Sequence, residues 1–507
     1  MADDPAEFAY CEPVAREIGH LKHDGDALAL ADRYGGRGVG RNGGSGRCGV
    51  VGDIQIKGLG RTPLAAMSAP FWHSFGGSSL QDCLREVYFT RFAEAALPHG
   101  VTKVFAAIAT ETFIPAYPGS AGSAEIVPRC ILLREFDIRF AHLMPARHFL
   151  SPDLAEGDAL RTISMREWAR EHLQLSRNEW PLITTASTRA LDALLKKQAE
   201  QIARAISKRF VHGGVGPSNV CLSGRWLDFS ASHILPHYGI VTGRRGPHYL
   251  VEQATHLARM LSRCIARSFP TSIAPHFGAN YYYLSFMQWF WVAFGEALLR
   301  LSGLPIVDRC AIRDELEALL VQMFPGTDLV RNAGLADEYP ESEVPLQEAG
   351  CRIDLILLLA SLTRDAEKMD RWLRSFLPNE LTRSSFVRAY CAYFNLCVAR
   401  TSHGTEDDLG QALPLKCMHN VGFDIEWAAR LLFPNDHKAN SEVSGYMESF
   451  GTAMTVLAKR DSACKESRDF YLNSGAVHVR FDSGKLVVNN VPISFESFGG
   501  EVSSLVQ

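Results

Sequence analysis

Residues 34–63 read YGGRGVGRNGGSGRCGVVGDIQIKGLGRTP, with eight glycines between Tyr34 and Gly49 and a lysine, Lys57, closing an apolar run. Glycine lets backbone N–H groups turn inward and approach an anion, because no Cβ blocks positive φ or close contact. A lysine at the end of the following strand then supplies a fixed positive charge to the same phosphates, with Arg47 and Arg61 as further cations. The stretch thus reads as a polyphosphate cradle. It is not a Walker A loop, since GxxxxGK[ST] requires Ser or Thr after the lysine, and Gly58-Leu59-Gly60 follows here. A flexible glycine-rich linker is the competing reading of the same composition.

Working outward, Val50–Lys57 is expected to form a strand and Met67–Gly77 a loop. Ser78 or Ser79 then caps a helix to about Leu97, with Leu80, Leu84, Val87 and Phe92 near one face and Glu86 on it. Strands are expected at Val101–Ala107 and Ile131–Arg134. The periodicity of Leu191, Leu195, Ile202, Ile206 and Phe210 predicts a helix over Ser187–Phe210. That helix leads directly into HGGVGPSNVCLSGRWLDFS, residues 212–230. Asn219 and Asp228 flank a short apolar segment there, and two such oxygen donors suit one Mg²⁺ shared with substrate phosphates, while singly Asn219 reads as a turn residue and Asp228 as a cap. The first 33 residues look partly helical and offer no chemistry. Beyond Pro247 the pattern is mainly helical, with breaks near 325–349, 403–416 and 433–445. A final hairpin is expected from Val477–Phe481 and Leu486–Val491.

A chain of 507 residues exceeds one simple core and predicts more than one lobe. A formal net charge of −4 gives no electrostatic case for nucleic acid or an anionic membrane. The twelve cysteines are scattered without a CxxC pair, and MADDPAEFAY lacks an apolar signal core. Both features lead to the expectation of reduced thiols and a cytoplasmic location. Tyr281–Phe294 is strongly apolar, but Ser285, Gln288, Gly295 and Glu296 interrupt it, so a buried helix is expected and not a membrane span. His233, His237 and His248 read as ordinary loop histidines, Cys391 and Cys397 as core thiols, and Asp337–Glu343 as a solvated acidic loop.

Several segments together resemble the selenoprotein O/YdiU family of kinase-like proteins, which transfer AMP from ATP to protein hydroxyl groups. Tyr34, Gly36 and Gly40 repeat that family's YxGxxxG, and Gly44-Ser45-Gly46-Arg47 stands where it has GDGR. Asp53–Pro63 is very close to LQLKGAGRTP, and Leu84-Arg85-Glu86 resembles IRE. Arg134–His142 is similar to RVAPSHIRFGH but two residues shorter. His212–Asn219 with Leu227-Asp228-Phe229 lines up with HGVMNTDN and IDYG. The likeness spans residues 34–240.

The resemblance implies an α+β, protein-kinase-like two-lobed fold: a glycine-rich lobe over 1–145, a catalytic lobe over 146–325, and a mainly helical region over 326–507 ending in a hairpin. It implies that Lys57 contacts phosphate and pairs with Glu86, and that Gly44, Ser45, Gly46, Arg47, Arg134 and Arg139 hold the triphosphate. Asn219 and Asp228 would carry Mg²⁺ or Mn²⁺. Arginine suits phosphate because its planar fork makes paired hydrogen bonds. The implied partners are ATP and a protein, peptide or carboxylate acceptor, with no nucleic acid and no membrane. Ser218, however, occupies the place of the family's catalytic aspartate. A serine is no carboxylate base, whereas an acceptor carboxylate is already ionised at neutral pH. Adenylation of an acid and a nucleotide-binding pseudoenzyme are therefore the competing expectations.

Overall fold

The computed structural model describes residues 9–11, 29–36, 43–62, 64–65, 76–115, 126–146, 152–173, 185–243, 246–269, 275–335, 352–400, 406–432, 443–461, 468–472, 477–482, 485–494 and 497–499. The first elements are β1 (Ala9–Cys11), β2 (Leu30–Arg33), β3 (Gly44–Val51), β4 (Ile54–Lys57), α1 (Leu80–Ala96), β5 (Val104–Pro115) and β6 (Ile126–Glu135). Their strands form one antiparallel sheet in the order β1-β5-β6-β4-β3-β2.

The second half of the glycine stretch is therefore a strand and not a linker. Gly44, Ser45 and Gly46 are buried in β3, and a Cβ at Gly44 would meet the Asp32 carbonyl at 2.2 Å. The expected single strand over Val50–Lys57 is a hairpin instead. Val50 pairs with Gln55 and Val51 with Ile54, and the chain reverses at Gly52, whose φ is +56°. Apolar residues alternate on both sides of that turn, so periodicity alone does not reveal it. The predicted loop at Met67–Gly77 lies, over 66–75, outside the described residues.

Ser79 caps α1 by accepting from the Asp82 amide at 3.1 Å. The helix is buried on more than the one face expected, because Cys83 to Phe89 are all enclosed. β5 starts at Val104, later than predicted, and Val101 instead bridges to Trp226, with the Thr102 amide donating to the Trp226 carbonyl at 2.9 Å. Both β5 and β6 are longer than their apolar cores suggested.

A 3₁₀ turn (Phe140–Leu143) leads to α2 (Pro152–His172) and α3 (Thr185–Ser207). α3 ends three residues before Phe210, because Arg209 adopts the left-handed φ of +57° and Phe210 enters β7 (Phe210–Val211). There follow β8 (His233–Ile234), β9 (Ile240–Gly243), β10 (Gly246–Tyr249), α4 (Glu252–Ser268), α5 (Pro275–Leu301), α6 (Ala311–Gln322) and α7 (Thr327–Asn332). The aromatic run lies within α5, where Phe286, Phe290, Phe294 and Leu298 recur every four residues and are fully buried. Among the described residues no helix is long and apolar enough to cross a membrane.

The remaining helices are α8 (Ile353–Ser361), α9 (Ala366–Leu373), α10 (Glu380–Arg400), α11 (Glu406–Val421), α12 (Phe423–Leu431) and α13 (Val443–Asp461). Two expected breaks are thus partly helical: α7 falls inside 325–349, and α11 fills 406–416 despite Pro414. The acidic stretch Asp337–Glu343 lies outside the described residues. Four strands follow, β11 (Arg468–Leu472), β12 (Val477–Asp482), β13 (Lys485–Val488) and β14 (Val491–Ile493), in one antiparallel sheet. The expected hairpin is larger because Asn489 and Asn490 take φ of +47° and +67°, turning the chain inside Leu486–Val491. Asparagine tolerates that region better than other side chains do.

Candidate active site

Lys57 ends β4, and its ammonium is enclosed between α1 and the segment after β7. It donates to Glu86 Oε2 at 2.7 Å and contacts Asp228 Oδ1. Arg134, on β6 beside β4, pairs with the other Glu86 oxygen and lies 3.9 Å from Asp228. Four side chains from four separate stretches thus form one alternating cluster of two cations and two carboxylates. Lys57, Glu86 and Arg134 are buried, while the Asp228 side chain is 29% exposed and forms the cluster's open edge. Burial works against the charges of Lys57, Arg134 and Asp228, but opposite charges outweigh it. Lys57 is pushed up by Asp228 and Glu86, and the Asp228 carboxyl is held far below its usual range by Lys57 and Arg134.

Local geometry fixes both ends. Gly58, directly after Lys57, has φ of +91°, and a Cβ there would meet the Cys130 carbonyl at 2.8 Å. Gly58→Ala is therefore expected to cost about 1–3 kcal/mol, read as a lower urea midpoint with unchanged slope. Asp228 itself takes the left-handed φ of +68°. Arg85 anchors the residues after it, donating to the carbonyls of Ser230 at 2.8 Å and Ser232 at 2.6 Å. Asn219 sits across from it: the Leu227 amide donates to the Asn219 carbonyl at 3.2 Å, and Val220 bridges to Trp226. Asn219 Nδ2 donates to the Gly214 carbonyl at 2.9 Å. Among the described residues, Asn219 Oδ1 and Asp228 Oδ2 hold no hydrogen bond. These two oxygens fit the sparse protein ligation Mg²⁺ accepts when phosphates and water complete its shell. No group of three or more His, Cys, Asp or Glu suited to a metal occurs among the described residues, so His233 and His237 form no such cluster.

The three arginines expected at phosphate differ in placement. Arg47 donates to the Gly77 carbonyl at 3.1 Å and has no ion pair among the described residues. Arg134 is matched by Glu86. Arg139 is buried against Asp32, a residue in the N-terminal part read as carrying no chemistry. Asp32 is 3% exposed, accepts from Arg139, Gln55 and His142, and lies on strand β2 within a segment expected to be partly helical. A single aspartate in an otherwise plain segment gives no pattern to detect. Ser218 lies on the loop with Asn219, and its carbonyl accepts from Arg139 Nη1 at 3.1 Å.

Two buried histidines support the site as neutral rings. His142 Nδ1 accepts the Arg139 amide at 2.9 Å, leaving Nε2–H for Asp32. His212 Nδ1 accepts the Gly214 amide at 3.3 Å, leaving Nε2–H for the Leu227 carbonyl at 2.9 Å. Burial lowers both from the ordinary 6.5. The unfolded chain therefore binds protons first, so stability falls as pH drops below about 6.5. His212→Asn should flatten that slope in urea midpoints measured from pH 7 to 5.

No family model matches the chain. Comparison with curated proteins finds several named protein nucleotidyltransferase YdiU. That of Rhodopseudomonas palustris strain HaA2 is 28% identical over 183 residues, 36% of this chain and 33% of the relative. That of Rhizobium meliloti is 27% identical over 186 residues, 37% and 34% of the two chains. That of Rhizobium etli is 26% identical over 255 residues, 45% and 47%. The aligned part thus spans a third to just under half of these relatives' length. Over that part the chain is similar to the YdiU (selenoprotein O) proteins at 25–28% identity.

Proposed function

We propose that the chain transfers AMP from ATP, with Mg²⁺ or Mn²⁺, to a protein or peptide acceptor, in a protein-kinase-like cleft between a lobe over 1–145 and one over 146–325. The observation carrying this reading is the convergence of Lys57, Glu86, Arg134 and Asp228 at one partly open edge. The YdiU relatives are named as nucleotidyltransferases, which supports nucleotidyl rather than phosphoryl transfer. Lys57 and Arg47 bind phosphate oxygens, with Gly44, Ser45 and Gly46 lining the cradle. Glu86 holds the ammonium in place and is itself held by Arg134, and Arg139 acts from behind through the Ser218 carbonyl. The metal, held by Asn219 and Asp228, would supply charge neutralisation on the phosphates. The acceptor oxygen attacks the α-phosphorus, the bond to the bridging oxygen of the β-phosphate breaks, and pyrophosphate leaves. Catalysis of this kind rests on positioning and preorganised charge.

Ser218 favours a second reading of the acceptor. A hydroxyl acceptor must lose a proton, and no carboxylate stands at residue 218 to take it. A carboxylate acceptor has none to lose at neutral pH. Incubation with Mg²⁺ and ATP labelled separately at the α and γ positions tests both. Pyrophosphate release with α-label transfer is the expected result, and hydroxylamine lability of the adduct distinguishes an acyl-adenylate from a hydroxyl-linked AMP. ADP release with γ-label transfer means kinase chemistry instead. Binding of ATP without turnover would leave an ATP-binding interaction module.

A further inference from the structure

The Asp32 carboxylate, at the end of β2, is the point from which two separate arms of hydrogen bonds reach the two halves of the candidate metal site. The first arm runs through Arg139. Its guanidinium pairs with Asp32 Oδ2, lies 4.4 Å from the Tyr34 ring centroid, and donates to the Ser218 carbonyl at 3.1 Å. The flanking backbone grips the same loop: the Ala141 amide donates to the Pro217 carbonyl at 2.8 Å and the Phe140 amide to the Val220 carbonyl at 3.1 Å. Asn219 lies between these anchors. The second arm runs through the sheet. Gln55 Nε2 donates to Asp32 Oδ2 at 2.6 Å, and Arg134 Nε donates to Gln55 Oε1 at 2.6 Å. Arg134 then pairs with Glu86, Glu86 with Lys57, and Lys57 with Asp228. His142 braces the carboxylate from a third side, with Nε2 3.1 Å from Oδ1.

We propose that Asp32 is a positioning residue that sets the spacing between Asn219 and Asp228, and hence the affinity of the site for the metal. It acts through its partners Arg139 and Gln55. This rests on the nucleotidyl-transfer reading for its functional consequence, but its structural content stands on the ligand-free protein. A buried carboxylate with three donors fixes each of them, because any donor that moves leaves a desolvated charge behind.

Asp32→Asn, which keeps the shape and removes the charge, is the test. Hydrogen exchange of the ligand-free protein should become faster at 139–142 and at 216–221, with 252–301 unchanged. In the turnover assay the Mg²⁺ concentration for half-maximal rate should rise roughly tenfold or more, as for other residues that orient metal ligands. KM for ATP at saturating Mg²⁺ should stay near the parent value. Where Asp32→Asn folds poorly, Asp32→Asn combined with Arg139→Gln removes both charges. That pair should recover the urea midpoint while leaving 216–221 fast-exchanging. Parent-like exchange over 216–221 in the folded variant overturns the assignment, as does an unmoved Mg²⁺ dependence or tighter binding of Mg-ATP. If the parent protein itself binds no Mg-ATP, the nucleotidyl-transfer reading fails, and the exchange pattern alone decides the positioning role.

Discussion

Glu86→Gln is expected to lower the unfolding free energy by about 3–5 kcal/mol, the usual effect of removing one partner from a buried charge cluster. Glu86 is 1% exposed and serves two cations, Lys57 on one oxygen and Arg134 on the other. A glutamine carbonyl can accept from one of them, but its amide then faces the second with like polarity. Asp228 cannot substitute, since it already contacts Lys57 and stands 3.9 Å from Arg134. Urea unfolding followed by tryptophan fluorescence reads the change as a lower midpoint. A loss under about 1 kcal/mol would mean that water reaches the cluster and that Glu86 is not its centre.

Asp228→Asn should show the opposite balance. Its side chain is 29% exposed, and Lys57 keeps Glu86, so stability should change by about 1 kcal/mol or less. The rate of nucleotide transfer should nevertheless fall about 10²–10³-fold, the range seen when one preorganised charge-stabilising group is lost. The pH profile gives an independent check. Lys57 and Arg134 overcome burial and depress the Asp228 carboxyl, so its contribution is present above pH 3.8 and is lost only as pH falls below that. Lys57 is raised, so its charge is retained below pH 10.5 and lost only as pH climbs above it. Between those limits Lys57 and Asp228 keep their charges, so Asp228→Asn should lower the plateau and, by removing a carboxylate that raises Lys57, bring the alkaline limb to lower pH. A variant with full activity would remove Asp228 from the mechanism.

Much of the site was readable from local chemistry. Lys57 closes an apolar run beside glycines, a pattern that suits phosphate but also a linker, and Ser78 or Ser79 before an apolar-periodic run signals a helix start, which the structure places at Ser79. Elements whose boundaries depend on a single dihedral were misread. Gly52, Arg209 and the Asn489-Asn490 pair each reverse or end an element through positive φ, which hydrophobic periodicity does not encode. The helix α1 was read as having one apolar face, yet later elements enclose it from several sides. Arg85 reaches Ser230 and Ser232, and Tyr88 OH donates to the Ile425 carbonyl at 3.5 Å.

The residue types in this chain determine which groups are available: a lysine, three arginines, an Asn–Asp pair and a serine at 218. Only the tertiary structure decided how those charges are shared. It gave Arg134 to Glu86 and Arg139 to Asp32, left Arg47 without an ion pair among the described residues, and made Asp32 central. The physical reason is that a charge's role depends on which opposite charge is nearest after burial. That neighbour comes from residues as far apart in sequence as Lys57 and Asp228, so no local pattern records it.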